Sequence, residues 1–207
     1  HDYENLEKQS AIHFREIMKN KDLKHVVYLS GITNEDSLSA HLSSRRTVEH
    51  ELSLGSYPLT TLRAGIIIGS GSASFEIIRD LVEKLPLMIT PKWLNTKCQP
   101  IGVDNVLDCL VKTLGNEKTY DKNFDIGGPE VMTYKEILLG FAKTRNLKRF
   151  IFTVPIMTPK LSSYWLYFVT STSFKLASAL VSSMKVEVVC RDLELLKIIN
   201  IEPIKYQ

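Results

Sequence analysis

The sequence predicts an α/β fold: a doubly wound, mostly parallel sheet with a smaller, mostly helical C-terminal lobe. Three observations predict it. Short β-branched runs alternate with amphipathic stretches of helical length. The apolar runs, such as "HVVYLS", are continuous rather than alternating, as strands buried on both faces are. Several of these runs lead straight into glycines or capping residues that open a helix, the punctuation of strand–helix units.

The polar start "HDYENLEKQSAIHF" reads as a helix capped by Asp2, with Leu6, Phe14, Ile17 and Met18 on one face. "HVVYLS" at 25–30 fits a buried parallel strand, and a helix follows at about 39–54 with Leu42, Val48, Leu52 and Leu54 as its apolar positions. "LTTLRAGIIIG" at 59–69 reads as one strand running out into a glycine turn, and "SASFEIIRDLVEKL" at 72–85 as the next helix. A short strand near Leu87–Ile89, an extended "CQPIGV", a helix at about 104–114 and a strand "NFDIG" at 123–127 continue the alternation. The helix after it opens on T-Y-K-E, a capping box in which Thr133 caps and Glu136 reaches back. Beyond "FIFTVP" at 150–155, Pro155 and Pro159 punctuate the chain and the pattern turns helical. Residues up to about 150 are therefore expected to form a mostly parallel sheet with helices on both faces, and 151–207 a helical lobe.

Composition narrows the function. A chain of 207 residues with 44% hydrophobic residues buries a substantial core, and a formal charge of +3 spread along it gives no basic stripe for nucleic acid. Cys98, Cys109 and Cys190 lack the spacing of a zinc site, so no metal is expected and free thiols in a reducing cytoplasm are. The start is not basic and then apolar, as a secretory signal would be. Residue 1 is His, and the natural protein is expected to begin earlier. Tyr164–Met184 is the most apolar region, but its Ser and Thr residues and Lys175 interrupt it. Two packed helices are the favoured reading there, with membrane contact through 164–184 as the alternative.

Gly65, Gly69 and Gly71 lie between an apolar run and a helix. A dinucleotide turn needs G-x-G-x-x-G after the first strand, whereas "GSGSASF" has Ala73 and Ser74 where a third glycine would help. As a phosphate motif the match is weak. The alternative is a turn at the carboxyl end of a strand, where open α/β sheets place ligands.

Five segments in register resemble the atypical and extended short-chain dehydrogenase/reductase family, in particular its epimerase-like, NmrA-like members. "KHVVYLSG" resembles that family's fifth strand, ending in the active-site serine. "HLSSRRTVEHEL" is similar to the helix that carries Y-x-x-x-K, and "TTLRAGIIIGSGS" to the sixth strand and its glycine continuation. "QPIGVDNVLDCLVKTL" and "NFDIGGPEVMTYKEIL" resemble two later family segments. The resemblance spans residues 1 to about 150. It implies that residues 1–150 are the C-terminal portion of a Rossmann-like NAD(P)-binding domain with interleaved substrate-side segments and 151–207 a smaller helical lobe. By that resemblance the chain enters the fold in the helix before the fifth strand, with the first four strands and their G-x-x-G-x-x-G turn outside these residues.

The resemblance also implies an NAD(P) cofactor and a small-molecule substrate. It assigns Ser30, His41 and Arg45 to catalysis, with His41 and Arg45 standing where the family has Tyr and Lys. Cofactor contacts fall to Ser30, Arg45 and the backbone of the loop Ala64, Gly65, Ile66, Ile67 and Ile68. Gly69, Gly71, Gln99 and Tyr164 fall on the substrate side. A guanidinium is no copy of lysine, so a non-catalytic NAD(P)-binding sensor or assembly factor stands as the alternative to an oxidoreductase or epimerase-like enzyme. A structural subunit using its apolar C-terminal helices is a third reading. The bland readings are a solvated basic face at "SSRR", a turn hydroxyl at Ser30, and a structural carboxylate pair for Arg63 in its apolar strand.

Overall fold

A computed structural model of the protein describes residues 3–32, 40–154 and 184–206. Strands β1 (Val26–Gly31) and β2 (Leu59–Ala64) pair in parallel, Val26 opposite Leu59 and Gly31 opposite Ala64. On the far side of β2 lies the strand Lys122–Ile126, also parallel, with Ala64 opposite Ile126. The carboxyl ends of all three strands therefore meet at one edge, as the sequence predicts for the first two.

This sheet is covered on both faces. One face carries the helices α1 (Tyr3–Met18) and α2 (Ala40–Ser53), through Ala11, Val48 and Leu52 against Leu59, Val26 and Tyr28. The other packs Leu62, Ala64, Phe124 and Ile126 against Ile101, Val106, Cys109, Leu195, Leu196 and Ile199. Burial on both faces is the physical reason these strands read as continuous apolar runs.

The inward face of α1 differs from the expected one. Leu6 and Ile17 are exposed, while Ala11 is buried and Phe14 sets its ring edge-on to Tyr57 at 5.9 Å. Polar anchors rotate the helix: Arg15 pairs with Glu51 at 2.8 Å, and Ser44 donates to Glu7 at 2.5 Å. Asp2, its expected cap, lies outside the described residues.

The single strand expected over 59–69 is two strands in two sheets. The chain leaves β2 at Gly65 and continues as β3 (Ile66–Ile68), which pairs in parallel with the strand Pro100–Gly102. Residues 184–206 return across this point. A Cβ on Gly65 would stand 3.1 Å from the Val188 carbonyl oxygen and 3.5 Å from that of Gln99, so only glycine lets the returning chain lie so close.

Helix α3 (Ala73–Lys84) starts on Ser72, whose hydroxyl accepts from Phe75 N. Strand β4 (Leu87–Pro91) runs further than expected, and β5 (Lys97–Cys98) and β6 (Pro100–Gly102) divide the extended "CQPIGV" stretch. Helix α4 (Val103–Thr113) is capped at Gly102, with Asp104 in its first turn. Strand β7 is Lys122–Ile126 of the central sheet, and the two-residue β8 (Met132–Thr133) pairs antiparallel with β5. The capping box before α5 (Tyr134–Thr144) is formed as the sequence predicts: Glu136 accepts from Thr133 N at 2.7 Å, and Thr133 Oγ1 accepts from Glu136 N at 3.2 Å. The bonds that the Glu136 carboxylate accepts from Thr133 N and from Thr133 Oγ1, the latter at 2.8 Å, hold it below its ordinary range. β9 (Phe150–Val154) pairs in parallel with β4. The segment 155–183, with Tyr164 and most of the expected helical lobe, lies outside the described residues. The residues that follow it return as extended chain and the short helix Glu194–Ile198.

Candidate active site

The edge formed by the carboxyl ends of β1, β2 and β7 is built from Ser30, Gly31, Ala64, Ile126 and Gly127. Ser30 is buried, and its Oγ has no hydrogen-bond partner among the described residues. An orphaned buried hydroxyl forfeits roughly 1–3 kcal/mol. Tyr57, Thr61, Trp93, Thr113 and Thr153 also hold a buried polar atom without a partner among the described residues, and of all six only Ser30 lies at the carboxyl edge of the three-stranded sheet. Ser30 stands opposite Arg63, the last residue but one of β2. Arg63 is held bidentately by Glu49 of α2, at 3.1 Å and 2.6 Å, and that bond comes first among the influences that raise the guanidinium's affinity for its proton. This is the carboxylate pairing that the sequence favours for a buried arginine.

Helix α2 runs back antiparallel to the strands, so its first turn lies toward their carboxyl ends. Positions 41, 45 and 49 form one row at four-residue spacing. Glu49 meets β2, and Arg45, one turn earlier, meets β1: its Nη1 donates to the Tyr28 hydroxyl at 3.4 Å and stands 3.7 Å from Glu7. Tyr3 donates to the same Glu7 oxygen, Oε1, at 2.7 Å, while Ser44 takes Oε2. Burial pushes the Tyr28 phenol up, against the opposing pull of Arg45. Arg45 is thus engaged by protein groups at the α1–α2–β1 junction. His41 opens the same row nearer the edge, and its side chain lies outside the described residues.

The stretch 64–68 is not an open loop. The Ala64 carbonyl accepts from Ile32 N at 3.1 Å, and Ile66, Ile67 and Ile68 lie in register with Pro100, Ile101 and Gly102. Gly69 and Gly71 shape the turn into α3, with Gly71 in the left-handed region at φ 83°. Gly69 also lines a cavity of about 280 Å³ with Ile68, residues 100–104 and Ile204–Tyr206. Gln99 is buried with both polar ends used: it donates to the Gly128 carbonyl at 2.7 Å and accepts from Cys190 N at 3.0 Å. It therefore ties the end of β7 to the returning chain. Gly127 makes room for that clamp, since a Cβ there would lie 2.6 Å from Cys190 Sγ.

Asp125 lies buried opposite Arg63 and accepts from Arg191 N at 3.0 Å. Sequence reasoning missed Tyr28, Glu7 and Asp125, because each acts on a residue far away in the chain and no local spacing marks it. The three cysteines are free, and burial pushes the thiols of Cys98 and Cys190 up to about 12 and that of Cys109 to about 11, so none is a ready thiolate. Among the described residues no group of His, Cys, Asp and Glu could hold a metal ion, and no helix is long and apolar enough to cross a membrane.

The described architecture, a parallel sheet with helices on both faces, is the Rossmann-type fold of NAD(P)-dependent epimerases and reductases. The particular likenesses are to solved structures. A NADPH-dependent quinone oxidoreductase from Escherichia coli, complexed with NADPH, superposes with a TM-score of 0.75 at 14% identity, over 95% of this chain and 68% of that one. A Citrobacter triphenylmethane reductase complexed with NADP(H) gives 0.73 at 14% identity, over 98% and 70%. A nucleoside-diphosphate-sugar epimerase from Staphylococcus aureus gives 0.73 at 12% identity, over 95% and 68%. No protein-family model matches the chain, and no curated protein matches it in sequence.

Proposed function

We propose that this chain forms the nicotinamide and substrate side of an NAD(P)-dependent oxidoreductase or epimerase-like protein. The observation that carries the reading is Ser30: a buried hydroxyl with no partner among the described residues, at the carboxyl edge of a parallel sheet, where such folds take their ligands. The fold shared with NADPH- and NAD-bound proteins supports the choice of cofactor. A dinucleotide bound there would supply or accept the hydride. Ser30 holds a carbonyl or hydroxyl oxygen of the substrate by hydrogen bonding, and His41, at the start of the same helix row as Arg45 and Glu49, moves the proton. Gly69 and the cavity beside it lie on the substrate side. No G-x-x-G-x-x-G turn for a pyrophosphate occurs in these 207 residues.

Ser30→Ala separates a functional hydroxyl from a structural one. Removing an unpaired buried hydroxyl leaves stability unchanged or raises it, while hydride transfer to a panel of carbonyl compounds falls by roughly 10²–10³-fold, the range for losing one positioned donor. Urea unfolding and a nicotinamide absorbance assay measure the two arms. Lost stability with unchanged turnover assigns Ser30 to packing.

A second reading, a non-catalytic NAD(P)-binding sensor, draws support from Arg45, whose guanidinium is already engaged by Tyr28 and Glu7. Calorimetric binding of NADH or NADPH with no turnover on any substrate, and no effect of His41→Phe, favours it.

A further inference from the structure

The β4–β9 pair turns an apolar face to solvent. Residues alternate across a strand, so Leu87 and Ile89 of β4 share a face with Phe150 and Phe152 of β9, and the register sets Leu87 beside Phe150 and Ile89 beside Phe152. The opposite face does the packing: Met88 and Thr90 are buried, and Ile151 packs on the core. All four outward residues are more than half exposed, Leu87 at 54%, Ile89 at 53%, Phe150 at 62% and Phe152 at 59%. Four large side chains in two cross-strand pairs make a contiguous patch, and such a patch marks an interaction surface.

The ends of the patch are basic. Lys84, Arg145 and Lys148 are exposed near the amino ends of the two strands, and Lys92 directly follows β4 at the other end. Glu83 pairs with Arg145 and Asp80 with Lys84, whereas Lys92 and Lys148 carry no ion pair among the described residues. In a twofold contact between copies the two basic-ended patches would face each other, which disfavours a second copy as the occupant. An anionic surface meets the lysines and the apolar face at once. The chain then runs on from β9 toward Tyr164–Met184, whose only charge is Lys175.

We propose that the Leu87, Ile89, Phe150 and Phe152 face, with Lys92 and Lys148, docks the protein on the headgroup region of an anionic lipid bilayer. The contact is peripheral: the aromatic rings enter the boundary between headgroup and acyl chain, and the lysines stay with the lipid charges. It stands or falls independently of the nicotinamide reading.

Flotation of the full chain with vesicles of phosphatidylcholine alone, or of phosphatidylcholine mixed with phosphatidylglycerol, tests it. The chain floats with the anionic vesicles and partitions at least tenfold less onto the neutral ones. Lys92→Glu with Lys148→Glu, which leaves the apolar face intact, cuts anionic partitioning by roughly thirtyfold or more, from about 1 kcal/mol for each cation near such a surface. Phe150→Ser with Phe152→Ser cuts it by at least roughly tenfold while circular dichroism stays unchanged. Absence from both vesicle types overturns the proposal. So does a concentration-dependent dimer that the phenylalanine variants dissolve, which would assign the face to a second copy.

Discussion

The central β1-β2-β7 sheet and the β4–β9 pair are both parallel and both built from apolar runs, yet they end in opposite environments. β2 is buried along nearly its whole length, with Leu62 fully so, because α1 and α2 lie on one face and the 195–199 segment on the other. β4 and β9 have a single covered face. A strand's own residues thus specify that it is extended and apolar, while the number of its faces that are covered is set by elements far away in sequence. Among the described residues the first sheet is held by packing and by the Arg63–Glu49 ion pair, and the second leaves one face uncovered.

The most direct way to break the comparison is to truncate one apolar side chain in each sheet. Leu62→Ala should cost about 2–5 kcal/mol, the range for a fully enclosed leucine, whereas Phe152→Ala, which vacates no enclosed volume, should cost well under that. Urea denaturation of both variants measures the difference, and equal losses would mean that the β4–β9 face is covered in solution.

Next in size is the ion pair of the central sheet. Glu49→Ala leaves the Arg63 guanidinium, largely shielded from water, without its bidentate partner and should cost about 3 kcal/mol. Glu49→Leu with Arg63→Met should recover most of that loss in the same measurement. Failure of the double variant to recover would mean that Arg63 serves something other than its pairing with Glu49.

The smallest expected effect is one of pH. His25, just before β1, is buried, with Nδ1 accepting from Gly115 N at 2.9 Å and Nε2 at 2.8 Å from Thr60 Oγ1. Thr60 Oγ1 lies 2.6 Å from the Thr119 carbonyl and donates to it, so it accepts from His25, and the ring is the neutral tautomer protonated on Nε2. A second proton has no acceptor at Nδ1, and burial holds the pKa below its ordinary value. Because the unfolded chain takes up that proton first, stability is complete above the ordinary histidine range near 6.5 and falls as pH drops from there toward the lowered value. Melting temperatures between neutral and mildly acid pH should show this slope. His25→Gln should flatten it, and a slope unchanged in that variant would move the effect to another group.

Much of the fold was legible because it is written in local chemistry. The alternation of strands and helices, the Thr133 capping box and the parallel pairing of the first two strands follow from periodicity and from caps whose partners lie within a few residues. Arg63's need for a carboxylate was legible too, since a charge amid apolar residues must be paired, but the sequence did not single out Glu49 among the acids within reach. What only the tertiary structure decided is set by chain crossings. Gly65 ends β2 because the returning Val188 lies against it, and Gln99 becomes a clamp because Gly128 and Cys190 converge on its amide. Arg45 turns inward because Glu7 and Tyr28 approach it from two other elements. Likewise the β4–β9 face stays open because no described element packs on it. Hydrogen bonds and burial between residues tens of positions apart leave no periodic mark in the sequence, so residue type can state a need for a partner, and only the fold supplies one.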